Sequence, residues 1–497
     1  MSNFMSYENA QSVLGEFAEA IKSGGGGGSS EPSSLLIVTF DSDFIGESYT
    51  IKQGNTTIKT GTVPQSCEVR FTVQGANETY HVYSSIDSKE YSNSVNTVEY
   101  YGEYTVHLYK YHIYGARWDS DPSPVWERTD DAAEFTDPVP YVEGAENYGS
   151  PFDNIYPWSG MIRVQYDNNP DFEMVKLPRF WYKLEEYGDG GLSIKIADAP
   201  VEGYTVCPAC RKHWTDNDTD TERSYILVAR YATSYESVNE GYRSKSGTTT
   251  GSNMQYMRKL NDAYYDIIHL DRGNDFWTFD FDAWFTTYML YLVEFASWDL
   301  KSCIGNFYNS DTKTGNTDSM PYHTGTMSSS KSTAGSWQYR NIENLICSRN
   351  SQWLPGISAQ NINNNAHYFV YDRLISRHSD SIYKSRDPWV KEIQTDLNVS
   401  IASNSIAASK KFKVISHEGY SFPVAIESNS TNYGTTYACS RAFVIGRYMI
   451  DANISAIYNG MGGSVIPESS DSVEPATASG YPEDRIMIIP EEARVYD

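Results

Sequence analysis

Five consecutive glycines, Gly24–Gly28, stand near the start of the chain with serines on both sides. Such a run behaves as a flexible coil and resists every regular structure. It therefore cuts a short leading segment from everything after it. That segment, Tyr7–Lys22, places Val13, Leu14, Phe17 and Ile21 at helical spacing, with Ala10, Ala18 and Ala20 beside them. The spacing predicts an amphipathic helix too short to be stable alone. Its apolar stripe needs a second copy of itself or a docking protein; the alternative is a disordered tail. Residues 1–30 are read as an attachment or oligomerisation helix with its linker.

Beyond the tether the period changes to two. LLIVTF, SYTIKQ, NTTIKTG, CEVRFTV, ETYHVYSS, NTVEYY and YTVHLY are short β-branched or aromatic runs from Leu35 onward, with Gly46, Gly54, Gly61, Gly75 and Gly102 between or beside them. Strands recurring about every 8–12 residues predict a small all-β sandwich over residues 31–110. Nothing in it carries a catalytic pattern, so it reads as a spacer.

Residues 111–497 form a third part of mixed texture. Asn253–Leu270 and Asp282–Ser297 carry apolar residues at helical spacing, the second with Trp284, Tyr288, Tyr291, Leu292 and Phe295. Strand-like runs include Gly160–Gln165, Glu173–Leu177, Phe180–Leu184, Leu192–Ile196, Tyr225–Ala229 and Ile486–Ile489. The Asn/Ser/Thr/Gly-rich stretches Ile304–Ser336, Ile357–Asn365 and Glu427–Tyr437 are too polar to pack a core and are expected as surface loops. The pattern as a whole predicts an α+β chain.

Charge narrows the partners. A net charge of −25 repels polyanions, so neither nucleic acid nor an anionic bilayer is an expected partner. The most apolar window, Ala283–Phe295, is interrupted by Thr286, Thr287 and Glu294, so no membrane insertion is expected. The opening MSNFMSYENAQ has no basic region followed by an apolar one, and the expectation is a protein without a secretory signal. Six cysteines are too sparse for a disulfide scaffold. Together these suggest a chain made in a reducing cytoplasm; if it acts outside a cell, release by lysis as part of a virion fits. The 40 tyrosines suit recognition, because Tyr gives rigid contact area at low entropic cost.

Catalytic and metal patterns are thin. Cys207 and Cys210, with His213 close behind, have metal-like spacing, but a closed zinc site needs a fourth ligand and no second pair exists. Zinc, a local disulfide and two free thiols all stay open. Asp216, Asp218 and Asp220 alternate as calcium-loop oxygens do, yet Thr221 and Leu227 occupy the positions where that loop needs Gly and Glu, which favours a solvated acidic loop. Asp282 suits the N-cap of a helix starting at Ala283. No phosphate loop, nucleophile elbow or H-E-x-x-H occurs. No cofactor and no enzyme activity is expected.

Several stretches in order resemble a known family. They are YGARWDSDPSPVWERTDDA (Tyr114–Ala132), SGMIRVQYD followed by EMVKLPRFWYKLE (Glu173–Glu185), GYTVCPAC (Gly203–Cys210), FTTYMLYLVEFASWDLKSCIG (Phe285–Gly305), YRNIENLICSRNSQWLPGI (Tyr339–Ile357) and EDRIMIIP. This order is similar to tailed-phage tail-fibre, receptor-binding proteins of the major tropism determinant kind, with a C-type-lectin fold related to formylglycine-generating, sulfatase-modifying enzymes. The resemblance implies a large lectin-type domain over residues 111–497 that binds a bacterial surface glycan or protein. It further implies attachment to other tail or baseplate proteins through the N-terminal helix, assembly as a homotrimer, and a place in the virion tail. Receptor contact would fall in loops near the C-terminus, here Thr431–Asn459, with Tyr433, Tyr437, Arg441, Arg447, Tyr448, Asn453 and Tyr458 as contacts. Alternatively, Arg441 and Arg447 simply pair with the surplus of acids. The enzyme relatives need a cysteine pair late in the domain, and Cys439 stands alone there. The rival expectations are another virion part, a head fibre or adaptor, or an enzyme of the sulfatase-modifying type. For most of the quoted motifs the first expectation is fold maintenance.

Overall fold

A computed structural model gives the fold. The structure describes residues 33–119, 125–212, 221–235, 242–248, 276–297, 300–305, 313–333, 335–345 and 485–495, together with separate strands between 351 and 465. By internal contacts the chain divides into two compact units, Met1–Lys110 and Tyr111–Asp497.

Among the described residues the first unit carries seven strands: β1 (Ser33–Phe40), β2 (Ser48–Gln53), β3 (Thr56–Thr62), β4 (Glu68–Gln74), β5 (Thr79–Ile86), β6 (Lys89–Asn96) and β7 (Glu103–Leu108). One sheet runs β4-β1-β7 and the other β3-β2-β5-β6. Alternation along β1 buries Leu36, Val38 and Phe40. The Phe40 ring meets Tyr49 of the other sheet at 5.6 Å. Phe44 meets Tyr91 edge-on at 5.3 Å. The sixth strand is not the expected NTVEYY run. It is KEYSNSVN, hung on β5 by full antiparallel pairing from Thr79↔Asn96 to Ile86↔Lys89. Its two-residue turn, Asp87–Ser88, has both residues at left-handed φ, the geometry that matches strand twist in a tight hairpin.

The second unit contains β8 (Ile113–Trp118), β9 (Glu127–Asp130), β10 (Tyr141–Val142), β11 (Arg163–Gln165), β12 (Glu173–Pro178), β13 (Trp181–Tyr187), β14 (Gly191–Ala197), β15 (Thr205–Val206), β16 (Tyr225–Ala229), the small hairpin β17 (Ser234–Tyr235) and β18 (Tyr242–Arg243), and β19 (Phe276–Thr278). After the helices α1 (Phe281–Phe295) and α2 (Leu300–Cys303) come β20 (Gly325–Thr326), β21 (Trp337–Tyr339), β22 (Ile342–Glu343), β23 (Ser351–Leu354), β24 (Ile357–Ile362), β25 (Asn365–Tyr371), β26 (Val390–Leu397), β27 (Lys411–His417), β28 (Tyr420–Ile426), β29 (Phe443–Gly446), β30 (Ser464–Val465) and β31 (Ile486–Ile488). The main sheets run β15-β13-β14-β8-β9, β11-β12-β16-β31-β19 and β10-β20-β21-β22; the rest are β23-β29-β30, β24-β25-β26 and β27-β28.

These data correct the α+β expectation. Strands account for 45% of the described residues, in several small sheets, and α1 is the one long helix among them. A large α+β lectin-type architecture opening with an N-terminal helix is not what the chain shows. The two further helices read from sequence, Tyr7–Lys22 and Asn253–Leu270, lie outside the described residues. The physical reason is that polar segments read as loops form short strands here, fixed by hydrogen bonds that hydrophobic periodicity does not register.

Helix α1 is buried along its whole length, polar residues included. A helix buried on every side must satisfy each polar group internally. Thr286 Oγ1 accepts from Ala209 N at 3.0 Å, and Thr287 Oγ1 donates to Ala283 O at 2.8 Å. Asp280, not Asp282, caps the helix: its Oδ1 accepts from Ala283 N at 2.8 Å. Asp282 is the second residue of the helix, in its first turn, paired with Arg211 at 3.2 Å. Around α1 the core gathers Trp158, Trp284, Trp337, Tyr182 and Tyr288, all 1% exposed or less.

Candidate functional site

The site begins at a charge that α1 cannot leave unpaired. Glu294 lies in the last turn of α1, buried among aromatic rings. Its partner, Arg340, comes from the tight turn Arg340–Asn341 joining β21 to β22, where Tyr339 pairs Ile342. Both turn residues adopt left-handed φ, 43° and 72°, as a two-residue hairpin requires. That turn aims Arg340 into the core. Arg340 Nε donates to Glu294 Oε2 at 2.8 Å and Nη2 to Oε1 at 2.6 Å. Tyr339 Oη donates to Glu294 Oε2 at 3.0 Å. The pair is thus forked and saturated, the form in which a buried ion pair is tolerated.

From this base the network reaches outward to Asp153. Arg340 Nη2 also donates to Asp153 Oδ1 at 3.3 Å. Asp153 accepts further bonds from Tyr322 Oη at 2.7 Å, His323 Nε2 at 2.9 Å and Ser150 N at 3.0 Å. Burial alone pushes the Asp153 carboxyl up. The hydrogen bonds from His323, Tyr322 and Ser150, with the His323 charge, outweigh burial and bring it down to about 2. The carboxylate therefore fixes His323 with a proton on Nε2. Nδ1 lies 2.8 Å from Thr324 Oγ1, which also accepts from Arg340 N at 3.0 Å. Both ring nitrogens of His323 thus have a partner within hydrogen-bond distance.

What remains open is ring surface. Tyr322 and His323 lie 4.0 Å apart, Tyr148 and Tyr322 5.1 Å, and Tyr141 and Tyr148 5.5 Å edge-on. Tyr148 is 37% exposed, while Tyr141 is buried beneath it. Strands β10 and β20 place these rings together: Tyr141 pairs Gly325, two residues after His323. The arrangement can stack against a flat ligand. Behind that surface Asp153, Tyr322 and His323 are joined by hydrogen bonds that hold the rings in place.

A cation borders the platform. Arg163 of β11 donates from Nε to Asn341 Oδ1 at 2.9 Å, and the same Asn341 donates from its backbone N to His323 O at 2.8 Å. Burial and the neighbouring Arg230 lower the Arg163 pKa from its ordinary value.

The residues chosen from sequence stand elsewhere. Tyr433, Tyr437, Arg441, Arg447, Tyr448, Asn453, Tyr458 and His213 lie outside the described residues. Cys207 and Cys210 are described; both are buried, and no disulfide joins them. Among the described residues no group of three or more His, Cys, Asp or Glu could hold a metal ion, and no helix is long and apolar enough to cross a membrane. The quoted motifs supply framework: Trp118 stacks on Trp126 at 6.5 Å, Tyr339 and Arg340 hold Glu294, and Arg485 binds the carbonyls of Ala229 and Arg230 at 3.1 Å. Sequence reasoning missed Tyr148, Asp153, Arg163, Tyr322 and His323. The available signal was a Tyr-His pair set in a stretch rich in Ser, Thr and Gly. No family model and no curated protein matches the chain.

Proposed function

We propose that this chain is a virion adhesion protein of a tailed phage, a tail fibre or baseplate tip that contacts a bacterial surface glycan or protein. One observation carries the recognition part: the Tyr148–Tyr322–His323 platform presents rings while every titratable group behind it is committed to holding them in place. Preorganised aromatic surface of this kind is suited to binding, since little side-chain entropy is left to lose. The phage assignment is supported by the ordered family-like motifs, the net charge of −25 and the glycine tether. In this reading residues 1–30 attach the protein to other tail or baseplate proteins, and homotrimeric display raises the avidity of individually weak contacts.

The test is adhesion. Fluorescently labelled full-length chain is mixed with a panel of intact bacteria, and Tyr148→Ala serves as the variant because Tyr148 is half-exposed. The expected outcome is binding to at least one strain, reduced tenfold or more by Tyr148→Ala. Equal binding by the variant, or adhesion to none of the panel, overturns the proposal.

A further inference from the structure

Arg163 has donors that the protein does not use. Its Nε is committed to Asn341, and no acceptor for its two Nη groups occurs among the described residues. The side chain is exposed at the edge strand β11, and Asn341 ties it to the backbone of His323 on one side and, through Nδ2, to Met161 O at 3.1 Å on the other. A second guanidinium lies behind it. Arg230, 3% exposed, pairs with Asp318 through Nη1 at 2.9 Å, and its Nε and Nη2 have no hydrogen-bond partner among the described residues. Strand register puts the two on one face: Arg163 pairs Val175, Val175 pairs Val228, and Arg230 follows two residues on. A forked guanidinium with free donors matches a carboxylate better than any neutral group. Open tyrosine and histidine rings match the C–H face of a sugar.

Resting on the adhesion reading, we infer that the platform takes an acidic saccharide, whose ring stacks on Tyr148 and Tyr322 and whose carboxylate is held by Arg163. The surrounding charge makes this selective. In a chain of net −25 a dense polyanion is repelled at long range, whereas a single carboxylate delivered by a stacked sugar pays little of that repulsion.

The experiment is calorimetric titration of the full-length protein with an oligosaccharide ending in glucuronic acid, and with the same oligosaccharide after reduction of its carboxyl to the alcohol. The acid form is expected to bind at least tenfold more tightly than the reduced form. Arg163→Gln should erase that preference while leaving binding of the reduced form intact; Tyr148→Ala should weaken both. Arg163→Lys, which keeps the charge but loses the fork, should retain only part of the preference. Circular dichroism melting checks that each variant is folded. Equal binding of the two forms by the natural protein, binding of neither, or an undiminished preference in Arg163→Gln overturns the inference. Bacterial adhesion that persists under any of those results leaves the adhesion reading standing and removes only the ligand class.

Discussion

Arg340 and Glu294 meet as a two-pronged ion pair across 46 residues of sequence, with side chains 2% and 1% exposed. Neither charge has water to fall back on, so each depends on the other. Arg340→Met leaves Glu294 buried without its cation and strips Asp153 of one donor. Removing one partner of such a pair costs about 3–5 kcal/mol. Urea unfolding followed by tryptophan fluorescence checks this, because Trp158, Trp284 and Trp337 all lie in the same core.

The carboxylate at the outer end of this network predicts a pH response. Asp153 sits at about 2 in the folded protein against an ordinary 3.8. A depressed folded value contributes stability that is complete above the unfolded value and is lost as pH falls through the folded one. Stability should therefore drop between about pH 4 and pH 2, with Asp153 accounting for about 2 kcal/mol. Asp153→Asn should flatten that slope, and it should loosen Tyr322 and His323 at neutral pH. Unfolding midpoints measured across pH 2–6 in both proteins decide it.

Some of this was legible in the sequence and some was not. Trp284, Tyr288, Tyr291 and Phe295 announce α1 because they repeat at helical spacing, and Leu192–Ile196 announces β14 because Leu192, Ile194 and Ile196 alternate with Ser193 and Lys195. Strand β6 was hidden, since only Tyr91 of its eight residues is buried and its pairing with β5 makes it a strand. Within Ile304–Ser336, read as surface, Thr317, Thr324 and Thr326 are 1% exposed or less. Thr317 bonds Glu343 from 26 residues away, through both its backbone N and its hydroxyl. Composition measures the cost of burying a hydroxyl but not the partner that offsets it. The platform was hidden for the same reason: Asp153 and Tyr322 are 169 residues apart, and only the fold brings them together.

Gly325 holds the platform strands at their closest approach. A Cβ there would lie 2.2 Å from the Tyr141 carbonyl oxygen, which is backbone and cannot swing aside, and φ is +153°. Gly325→Ala must therefore part β20 from β10. The expected cost is about 2–4 kcal/mol from overpacking and an unsuitable backbone angle together. Because Tyr141 rides on that pairing and Tyr148 packs edge-on against it at 5.5 Å, adhesion should fall even where the melted fraction is negligible, which a binding assay well below the midpoint would detect.

Tyr182 tests how the β27–β28 hairpin is fastened. Its hydroxyl donates to Ser421 O at 2.7 Å and accepts from Ser421 N at 3.0 Å, while Phe422 packs at 5.9 Å from Phe281. Tyr182→Phe preserves the ring and removes both bonds, stranding two backbone groups of β28. The expected loss is about 1–3 kcal/mol, with the larger effect local. Hydrogen exchange should show the Ser421 amide losing protection ahead of the core amides of β14.

Cys207 and Cys210 bracket a single turn in which Cys210 N donates to Cys207 O at 2.9 Å, and both thiols are fully buried. A thiol buried away from solvent reacts slowly, because an alkylating reagent cannot reach it. In the native protein, alkylation should therefore spare both, and they should label together once the chain is unfolded. Intact mass under native conditions should equal that of the reduced chain with no added zinc. A mass two hydrogens lighter would point to a bridge between them, and a mass heavier by one zinc would bring His213 back as a ligand; either result would overturn the unbridged arrangement. Cys207→Ser with Cys210→Ser should cost stability through packing alone, since each serine places a hydroxyl where a weakly polar sulfur sat, and that loss should be independent of any chelator added to the buffer.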